Sequence, residues 1–311
     1  MEITHSLRPD RAVGETVLTI GTFDGVHRGH QHLLRQVVAR ARATGRLSAA
    51  ISFHPHPRAV LRPEIAPTYL SLPEERAAWV AALGLDLFII LPFTRELADL
   101  TAQAFVRQLC AGLHMRELWV GPDFAMARDR EGDVPRLRQL AGECGYDLHV
   151  VEPLHDAAGP ISSTRIRALL AGGQVAEAAD LLGRPYSVSG EVIHGFARGR
   201  QLGFRTANIA PPAERLLPAD GVYAVWVTVQ GRILAGVANV GIRPSFDAGR
   251  RLIETHLLDY DGDLYGQPMA VAFAHYLRPE LRFEDVGQLI AQVQADIVTA
   301  RRLLLRAGGS E

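Results

Sequence analysis

Short apolar runs alternate with amphipathic segments from Val17 to about Leu182. The runs have the length of strands, and in the segments between them apolar residues recur at helical spacing. This alternation predicts an α/β domain, in which covering helices pack on a parallel sheet. In chain order the pairs are VLTI and HLLRQVVARARA, LSAAISF and PEERAAWVAAL, LDLFIILPF and TAQAFVRQLCAGL, ELWVG and DVPRLRQLAGECG, and DLHVVEPL and SSTRIRALLAGG.

The pattern changes after Gly183, where strand-like segments follow one another without helical segments between them. Gln230-Gly231 and Asp261-Gly262 are hairpin signals. An antiparallel β-barrel or a small sandwich is therefore expected, and apolar spacing from Glu284 to about Arg306 predicts a helix packed on it. The segment GRPYSVSG is the expected boundary, which gives domains of residues 1–183 and 184–311.

The composition narrows the chemistry. A chain of 311 residues fits two domains, and its 33 basic and 34 acidic residues nearly cancel. This balance gives no sign of a nucleic-acid tail or a membrane-surface patch. Every basic residue other than histidine is arginine. The absence of lysine excludes a Walker-A lysine, a Schiff base and a lysyl-adenylate.

Cysteine usage and hydropathy indicate the compartment. Cys110 and Cys144 lie far apart and form no CxxC pair, which argues against a disulfide framework and a thiolate zinc site. The first residues lack the apolar region of a secretory signal, and no apolar run reaches the roughly 18 residues of a membrane span. We expect a cytoplasmic protein without a membrane partner, and the sequence leaves its oligomeric state open.

The strongest local motif is GTFDGVHRGHQHLL, which follows the first apolar run. His27 and His30 are spaced to lie on one face of a helix start. Backbone N–H groups and the positive end of the helix dipole gather there and favour an anion. The imidazoles can donate hydrogen bonds to a phosphate in its transition state, and Gly29 leaves space for close approach. The alternative is that the histidines merely decorate a helix start.

Three further segments belong to the first half. ISSTRIR, from Ile161, combines hydroxyls at a helix start with arginines that can grip a phosphate, although an ordinary helix cap gives the same pattern. FHPHP, from Phe53, is either a metal-binding histidine pair or a rigid loop lining the substrate, and its prolines favour the loop. GPDFAMARDREGD, from Gly121, is either part of the site or a solvated charged loop.

In the second half, HGFARGRQLGFRTANI holds regularly spaced glycines that no helix follows, so it is not a dinucleotide-binding fingerprint. Thr206 and Asn208 offer a hydroxyl and an amide oxygen at alternate strand positions, where both can reach one magnesium ion and its phosphates. Glu254 is a carboxylate in an otherwise apolar strand. Facing inward it would need a partner or a function, and strand alternation leaves an outward orientation open.

Taken in order, these motifs resemble a known family over nearly the whole chain. The HxGH turn and the later SSTxxR helix are similar to those of the nucleotidyltransferase superfamily. With HGxxxGRxLGF, TANI, NVGxRPSF and the HLLDYDGDLYG segment, the chain resembles the bifunctional bacterial riboflavin kinase/FMN adenylyltransferases. The resemblance implies a Rossmann-like nucleotidyltransferase domain followed by a riboflavin-kinase barrel. It also implies two ATP- and magnesium-dependent reactions, riboflavin to FMN and FMN to FAD with release of pyrophosphate.

The resemblance also implies roles for particular residues. In the adenylyltransferase, His27 and His30 would be catalytic. Its ATP ligands would be Gly21, Asp24, Gly29, Ser162, Ser163, Thr164 and Arg167, and its flavin contacts would be His56, Asp123 and Phe124. In the kinase, Glu254 would be the base that deprotonates the ribityl hydroxyl, and Thr206 and Asn208 would hold magnesium. The ATP of the kinase would lie against Gly195, Gly199, Arg200, Gly203, Thr206 and Asn208.

The chain departs from the family pattern in two segments. Arg205 replaces the proline that usually precedes the threonine, which loosens that loop or adds a phosphate contact. Met126 and Ala127 replace a phenylalanine and a glycine in the DFxFG segment. Two alternatives to a bifunctional enzyme therefore remain at this point, a monofunctional variant with one working site and a flavin-binding regulator with decayed catalysis.

Overall fold

The computed structural model describes residues 1–8, 14–65, 68–193, 204–242 and 251–307. The chain forms two compact units, Met1–Ser163 and Thr164–Glu311, called here the first and the second unit. Within the described residues, no helix is both long enough and apolar enough to cross a membrane. Cys110 and Cys144 are both free thiols, as their spacing predicts.

The first unit is built on a parallel six-stranded sheet with the order β1-β4-β3-β2-β5-β8. The apolar runs form the strands as predicted, and the short edge strand β1 is an addition to them. The strands of this sheet are β1 (Glu2–Thr4), β2 (Thr16–Ile20), β3 (Leu47–His54), β4 (Leu87–Pro92), β5 (Met115–Val120) and β8 (Asp147–Val150). Two short antiparallel pairs are β6 (Ala125–Met126) with β7 (Gly132–Asp133), and β9 (His155–Asp156) with β10 (Gly159–Pro160).

Helices cover both faces of this sheet. They are α1 (Arg28–Thr44), α2 (Pro57–Leu61), α3 (Pro73–Ala82), α4 (Arg95–Ala98), α5 (Ala102–Leu113) and α6 (Val134–Cys144). The helix α1 begins after an N-cap at His27 and ends at Gly45, whose φ of 66° is the left-handed conformation that glycine adopts readily. Short helical turns also occur at Pro63–Ile65 and Arg128–Arg130.

The alternation of side chains along β2 and β3 separates two apolar cores. Leu18 and Ile51 pack with residues of α5 and α6 on one face, whereas Ala50 packs with Leu34 of α1 and Val80 of α3 on the other. All of these side chains are buried. Because β2 is buried along its whole length, the turn that follows it starts from a rigid base.

The second unit contains a closed antiparallel barrel with the order β11-β12-β15-β14-β13-β16. Its strands are β11 (Tyr186–Ile193), β12 (Ala207–Ile209), β13 (Gly221–Val229), β14 (Arg232–Ile242), β15 (Arg251–Leu257) and β16 (Pro268–Arg278). Its helices are α7 (Ser163–Ala171), α8 (Val175–Leu182) and α9 (Val286–Ala307). The helix α9 buries Ala300 and Leu304 against the barrel, which confirms the predicted C-terminal helix.

The two predicted hairpins of the barrel have different outcomes. Gln230 and Gly231 both have positive φ, 50° and 72°, and join the paired strands β13 and β14. The hairpin at Asp261-Gly262 is wrong, because β15 pairs with β12 and β14 while β16 pairs with β11 and β13. A local turn motif indicates that the chain reverses direction, but it does not determine which strands pair with each other.

Candidate functional site

The order of strands places one crevice in the first unit. From β2 the chain continues to β3 and β4 on one side, and β5 and β8 lie on the other. The strand order therefore reverses between β2 and β5, and ligands of such sheets bind beyond the carboxyl ends of the strands at this point. The HxGH turn follows β2, and the segment of Asp123 and Phe124 follows β5, so both predicted motifs lie at this edge of the sheet.

The turn between β2 and α1 has an unusual backbone. Phe23 and Val26 have positive φ values of 47° and 38°, a conformation that residues other than glycine rarely adopt, and Gly25 has a φ of 80°. Such backbone persists only where the surroundings fix it, and it is concentrated at functional sites. The side chains of Phe23 and Val26 are buried in the apolar core, and this packing fixes the turn on the sheet.

Asp24 fixes the same turn from the side. The residue is 1% exposed, and its carboxylate accepts hydrogen bonds from the backbone N–H of Leu70 and Ser71 and from the Ser71 hydroxyl, at 3.1, 2.9 and 3.0 Å. The backbone N–H of Gly25 donates to Ser71 Oγ at 2.7 Å. Asp24 was predicted as an ATP ligand, and the contacts described here make it the anchor of the turn.

The two histidines lie together at the helix start, as their spacing predicts. His27 caps α1, its Nδ1 accepting the backbone N–H of His30 at 3.3 Å. The imidazole rings stack with their centroids 3.6 Å apart, and the edge of Phe23 packs against His30. Because Nδ1 of His27 is an acceptor, the neutral ring carries its hydrogen on Nε2. One hydrogen-bond donor of His27 is therefore fixed in position.

His30 is held in the neutral form. Burial, the neighbouring His27 and the charge of Arg76 together keep the pKa of His30 well below its ordinary value. Its Nδ1 is buried and has no hydrogen-bond partner among the described residues. A neutral imidazole still donates one hydrogen bond, so loss of the charge leaves His30 able to bind a phosphate oxygen.

Glycine is required at two positions of this turn by packing. A Cβ atom at Gly29 would lie 3.1 Å from both His27 Nδ1 and the carbonyl oxygen of Ile161, and one at Gly21 would lie 3.2 Å from the Phe23 ring. These distances are shorter than nearly all Cβ contacts in proteins. Gly29 thus brings the HxGH turn and the residues before α7 into close contact.

The second motif joins the first through a hydroxyl. Ser163 Oγ donates a hydrogen bond to the backbone carbonyl of Asp24 at 2.9 Å, which joins the start of the ISSTRIR segment to the HxGH turn within the first unit. Ser162 immediately precedes α7. Thr164 and Arg167 follow on α7, in the second unit, and their roles as triphosphate ligands stay predictions.

The predicted flavin contacts have structural roles as well. His56 caps the short helix α2, its Nδ1 accepting the backbone N–H of Arg58 at 3.1 Å. Phe124 packs against the core, whereas Asp123 is exposed. Among the described residues no cluster of three or more His, Cys, Asp or Glu side chains is placed to hold a metal ion. Flavin binding by these three residues stays a prediction.

The barrel brings Thr206, Asn208 and Glu254 together. Asn208 and Glu254 are direct partners on the antiparallel strands β12 and β15, so their side chains share one face. The Thr206 hydroxyl donates to Glu254 Oε1 at 2.8 Å. Glu254 is half-buried between the fully buried Ile253 and Thr255 of the same strand. Because side chains alternate along a strand, Glu254 lies on the face opposite theirs.

Arg205, the departure from the family pattern, has defined partners. Its guanidinium lies 2.6 Å from Asp261 Oδ1 and donates to the Asp261 carbonyl at 3.0 Å. Its own carbonyl oxygen lies 2.8 Å from Nδ1 of His256. These contacts tie the start of β12 to β15 and to the segment after it, although an exposed ion pair stabilises a protein little. The predicted kinase ligands Gly195, Gly199, Arg200 and Gly203 lie outside the described residues.

Three residues that contact the HxGH turn or the FHPHP segment belong to no sequence motif, so they were not identified from the sequence. Ser71 and Tyr69 lie before α3, and Arg76 lies in its second turn. Tyr69 Oη accepts the backbone N–H of His56 at 2.7 Å. Arg76 is 1% exposed, although its segment PEERAAW gives the pattern of a solvated charged helix. Only the position of Arg76 on the apolar face of α3, beside Ala77 and Val80, distinguishes it in the sequence.

Two family models match the chain, one in its first half and one in its second half. The model described as FAD synthetase matches residues 10–165, and the model described as riboflavin kinase matches residues 182–304. The two matches leave residues 166–181 between them. Most of α8 therefore lies outside both matches.

Curated proteins of several bacteria are similar over nearly their full length, and each is described as a bifunctional riboflavin kinase/FMN adenylyltransferase. The Pseudomonas fluorescens protein is 40% identical over 301 residues, which cover 96% of both chains. The Escherichia coli K12 protein is 39% identical, over 92% of this chain and 91% of its own. The Bacillus subtilis protein is 33% identical, over 95% of this chain and 96% of its own.

A solved structure gives the same architecture. The crystal structure of a Streptococcus pneumoniae protein described as a macrolide-efflux protein superposes with a TM-score of 0.86 at 31% identity. The match covers 94% of this chain and 96% of that one. The fold is therefore shared over both units, while the efflux description differs from that of the curated relatives.

Proposed function

Since this chain belongs to the family of bifunctional riboflavin kinase/FMN adenylyltransferases, we propose how its own residues carry the two reactions. The chain phosphorylates riboflavin to FMN and adenylylates FMN to FAD, with ATP and flavins as substrates. The family models assign the adenylyl transfer to the first part of the chain and the kinase to the second. The sequence left open a bifunctional enzyme, a monofunctional variant and a flavin-binding regulator. The two family models and the curated relatives support the bifunctional enzyme.

For adenylyl transfer we propose that His27 and His30 stabilise the α-phosphate. When an FMN phosphate oxygen attacks the α-phosphorus of ATP and pyrophosphate leaves, negative charge develops on the transferred group. Donors already fixed in position lower the barrier because they need no reorganisation during the reaction. The Nε2–H of His27, the neutral ring of His30 and the N-terminus of α1 all serve this purpose.

We propose that Ser162 and Ser163, the residues of the hydroxyl motif in the first unit, contribute to this site. Ser162, Ser163, Thr164 and Arg167 match the family's triphosphate ligands. The Ser163 hydroxyl donates to the Asp24 carbonyl, so this part of the motif contacts the turn. The anchoring of Asp24 by Ser71 then indicates that Asp24 acts on ATP through the shape of the turn.

For the kinase we propose that magnesium is held by Thr206 and Asn208. Magnesium prefers oxygen ligands and is commonly bound through few protein groups together with substrate phosphates. The hydroxyl and amide oxygens beside Glu254 fit this preference, since all three side chains share one face of the β12–β15 pair. Bound there, the ion would neutralise charge on the phosphates of ATP.

Glu254 is proposed as the general base that takes the proton of the ribityl hydroxyl. Its hydrogen bond from Thr206 at 2.8 Å carries this assignment, because it orients the carboxylate next to the proposed metal ligands. A base must come within about 2.6 to 3.2 Å of the hydroxyl it deprotonates. The half-buried position of Glu254 leaves it accessible to a substrate.

Replacing Glu254 by glutamine tests this assignment. The amide keeps the shape of the side chain and cannot take the proton, so FMN formation should fall by about 100- to 10,000-fold in turnover while riboflavin still binds. FAD formation from supplied FMN is the control within the same chain. Undiminished kinase turnover in Glu254→Gln would rule out the base assignment and leave the two activities themselves untouched.

A further inference from the structure

A buried arginine lies beneath the histidine turn without a carboxylate bonded to it in the described structure. Arg76 Nη1 donates to the Thr22 carbonyl, to Ser52 Oγ and to the Phe53 carbonyl, at 2.8, 2.8 and 3.3 Å. Its Nε and Nη2 are buried without a hydrogen-bond partner among the described residues. Burying a guanidinium in this way is unfavourable, so its retention in the core calls for a functional reason.

The contacts of Arg76 all lie at the carboxyl ends of β2 and β3. Thr22 immediately precedes Phe23, whose backbone has the positive φ described above. Ser52 and Phe53 are the last residues of β3 before His54. Nη1 therefore fastens the start of the histidine turn to the neighbouring strand, at the point where the backbone departs from ordinary geometry.

The charge of Arg76 also reaches the histidines. The titratable or charged groups that act on His30 are His27 on its own turn and Arg76 on α3. Arg76 in turn faces Asp24, Tyr69, Glu74 and Glu75, whose negative or potential negative charge partly offsets the burial that lowers its pKa. In a poorly solvated site, the positive charge of Arg76 disfavours a second positive charge on the imidazole of His30.

We propose that Arg76 is a positioning residue for adenylyl transfer, which fastens the histidine turn to the end of β3 and supplies a buried positive charge near the histidines. This inference rests on the proposed role of His27 and His30 at the α-phosphate. Arg76 would act on the reaction through the turn and through His30, without touching the substrate. The same buried charge would add to the positive potential that an incoming polyphosphate meets.

The test compares three variants of the full chain. Arg76→Gln removes the charge and keeps an amide donor, whereas Arg76→Lys keeps the charge and a donor nitrogen. Arg138→Gln makes the same chemical change on the exposed surface of α6 and serves as the matched control. FAD formation from FMN and ATP is measured beside FMN formation from riboflavin, which reports whether the barrel is intact.

We expect Arg76→Gln to lower the turnover for FAD on the order of 100-fold, the cost of a small displacement of catalytic groups, with FMN formation unchanged. Arg76→Lys should recover most of the loss, because a single nitrogen makes all three hydrogen bonds in the native chain. Arg138→Gln should behave as the native chain does.

The pH dependence separates the charge from a merely structural role. In the native chain the pKa of His30 lies well below 6.5, so His30 stays neutral as the pH falls through that value. Burial and His27 still lower the pKa of His30 in Arg76→Gln, and only the smaller contribution of the Arg76 charge is lost. We therefore expect the pKa of His30 to rise and the acidic limb of the FAD rate profile to move to higher pH in this variant. Nuclear magnetic resonance titration of the His30 ring should show the same rise of its pKa in Arg76→Gln. In Arg76→Lys, which keeps the charge, the pKa of His30 should stay at its native value.

Several results would overturn the proposal. They are a native FAD rate in Arg76→Gln, an equal loss in Arg138→Gln, or a loss that is uniform across pH with the His30 titration unchanged. If the glutamine chain does not fold, a folded lysine chain without FAD formation is decisive against the proposal, and retained activity with a native His30 titration supports it. Failure of the histidine assignment is seen separately, as full FAD synthesis in His30→Gln.

Discussion

Ala127 has a backbone conformation that normally requires glycine. Its φ of 67° and ψ of −175° fall in a region that side chains with a Cβ atom rarely adopt. The family pattern has glycine at this position, so the substitution noted in the sequence now has a physical consequence. The chain stores strain in the loop after β5, next to the exposed Asp123 and the core residue Met126.

Ala127→Gly should therefore stabilise the first unit. Relief of the strain, about 1 to 3 kcal/mol, exceeds the roughly 0.5 to 1 kcal/mol that glycine loses in backbone entropy. Thermal unfolding measures the difference. Ala43→Gly, at an exposed position in α1, is the control and should destabilise the unit. Equal losses of stability in both variants would mean that the loop is unstrained.

At the scale of elements, sequence pattern predicted the strands and helices well, because burial on a parallel sheet imposes long apolar runs. The β2–turn–α1 unit was predicted with Gly29 and its paired histidines, whereas the capping of α1 by His27 was not. What holds the turn was not predictable, since Ser71 and Arg76 reach it from a distant segment through hydrogen bonds that no local pattern encodes. The pairing of β15 was missed for a related reason, because strand order in a closed barrel depends on all six strands.

The anchoring of the turn gives a prediction for Asp24. In Asp24→Asn one carboxylate oxygen becomes an amide nitrogen, which places a donor against the backbone N–H of either Leu70 or Ser71, since the two bond to different oxygens. The variant should unfold about 1 to 3 kcal/mol more easily in the first unit and make FAD more slowly. FMN formation should stay native. Native stability with a raised KM for ATP would show instead that Asp24 is a direct ATP ligand.

At the scale of the whole molecule, the predicted domain boundary differs from the boundary between the two compact units. Residues 1–183 and 184–311 were predicted as domains, and this boundary stays a prediction. The compact units divide after Ser163, so that α7 and α8 accompany the barrel. The helix α8 packs against β11 and β16 and buries Val175, Ala178, Leu181 and Leu182.

Two fragments test which boundary is the better one. Residues 164–311 keep α8 on the barrel, whereas residues 184–311 expose the surface that it covers. Each large apolar side chain removed from such a contact costs about 1.5 to 3 kcal/mol, so the shorter fragment should be less stable by several kcal/mol. Thermal unfolding and riboflavin kinase activity, measured on both fragments, decide between the two boundaries. Equal stability would favour a boundary at residue 183.

We expect two separate sets of residues to carry the two reactions. The most direct measurement is a product assay by chromatography on the native chain, His27→Ala, His30→Ala and Glu254→Gln, supplied with ATP and magnesium and either riboflavin or FMN. Loss of a preorganised donor should reduce FAD formation by about 100- to 1000-fold in each histidine variant with FMN formation native. Glu254→Gln should show the reverse. Native FAD formation from FMN in the histidine variants would contradict the account. So would a folded variant that loses both FMN formation from riboflavin and FAD formation from supplied FMN.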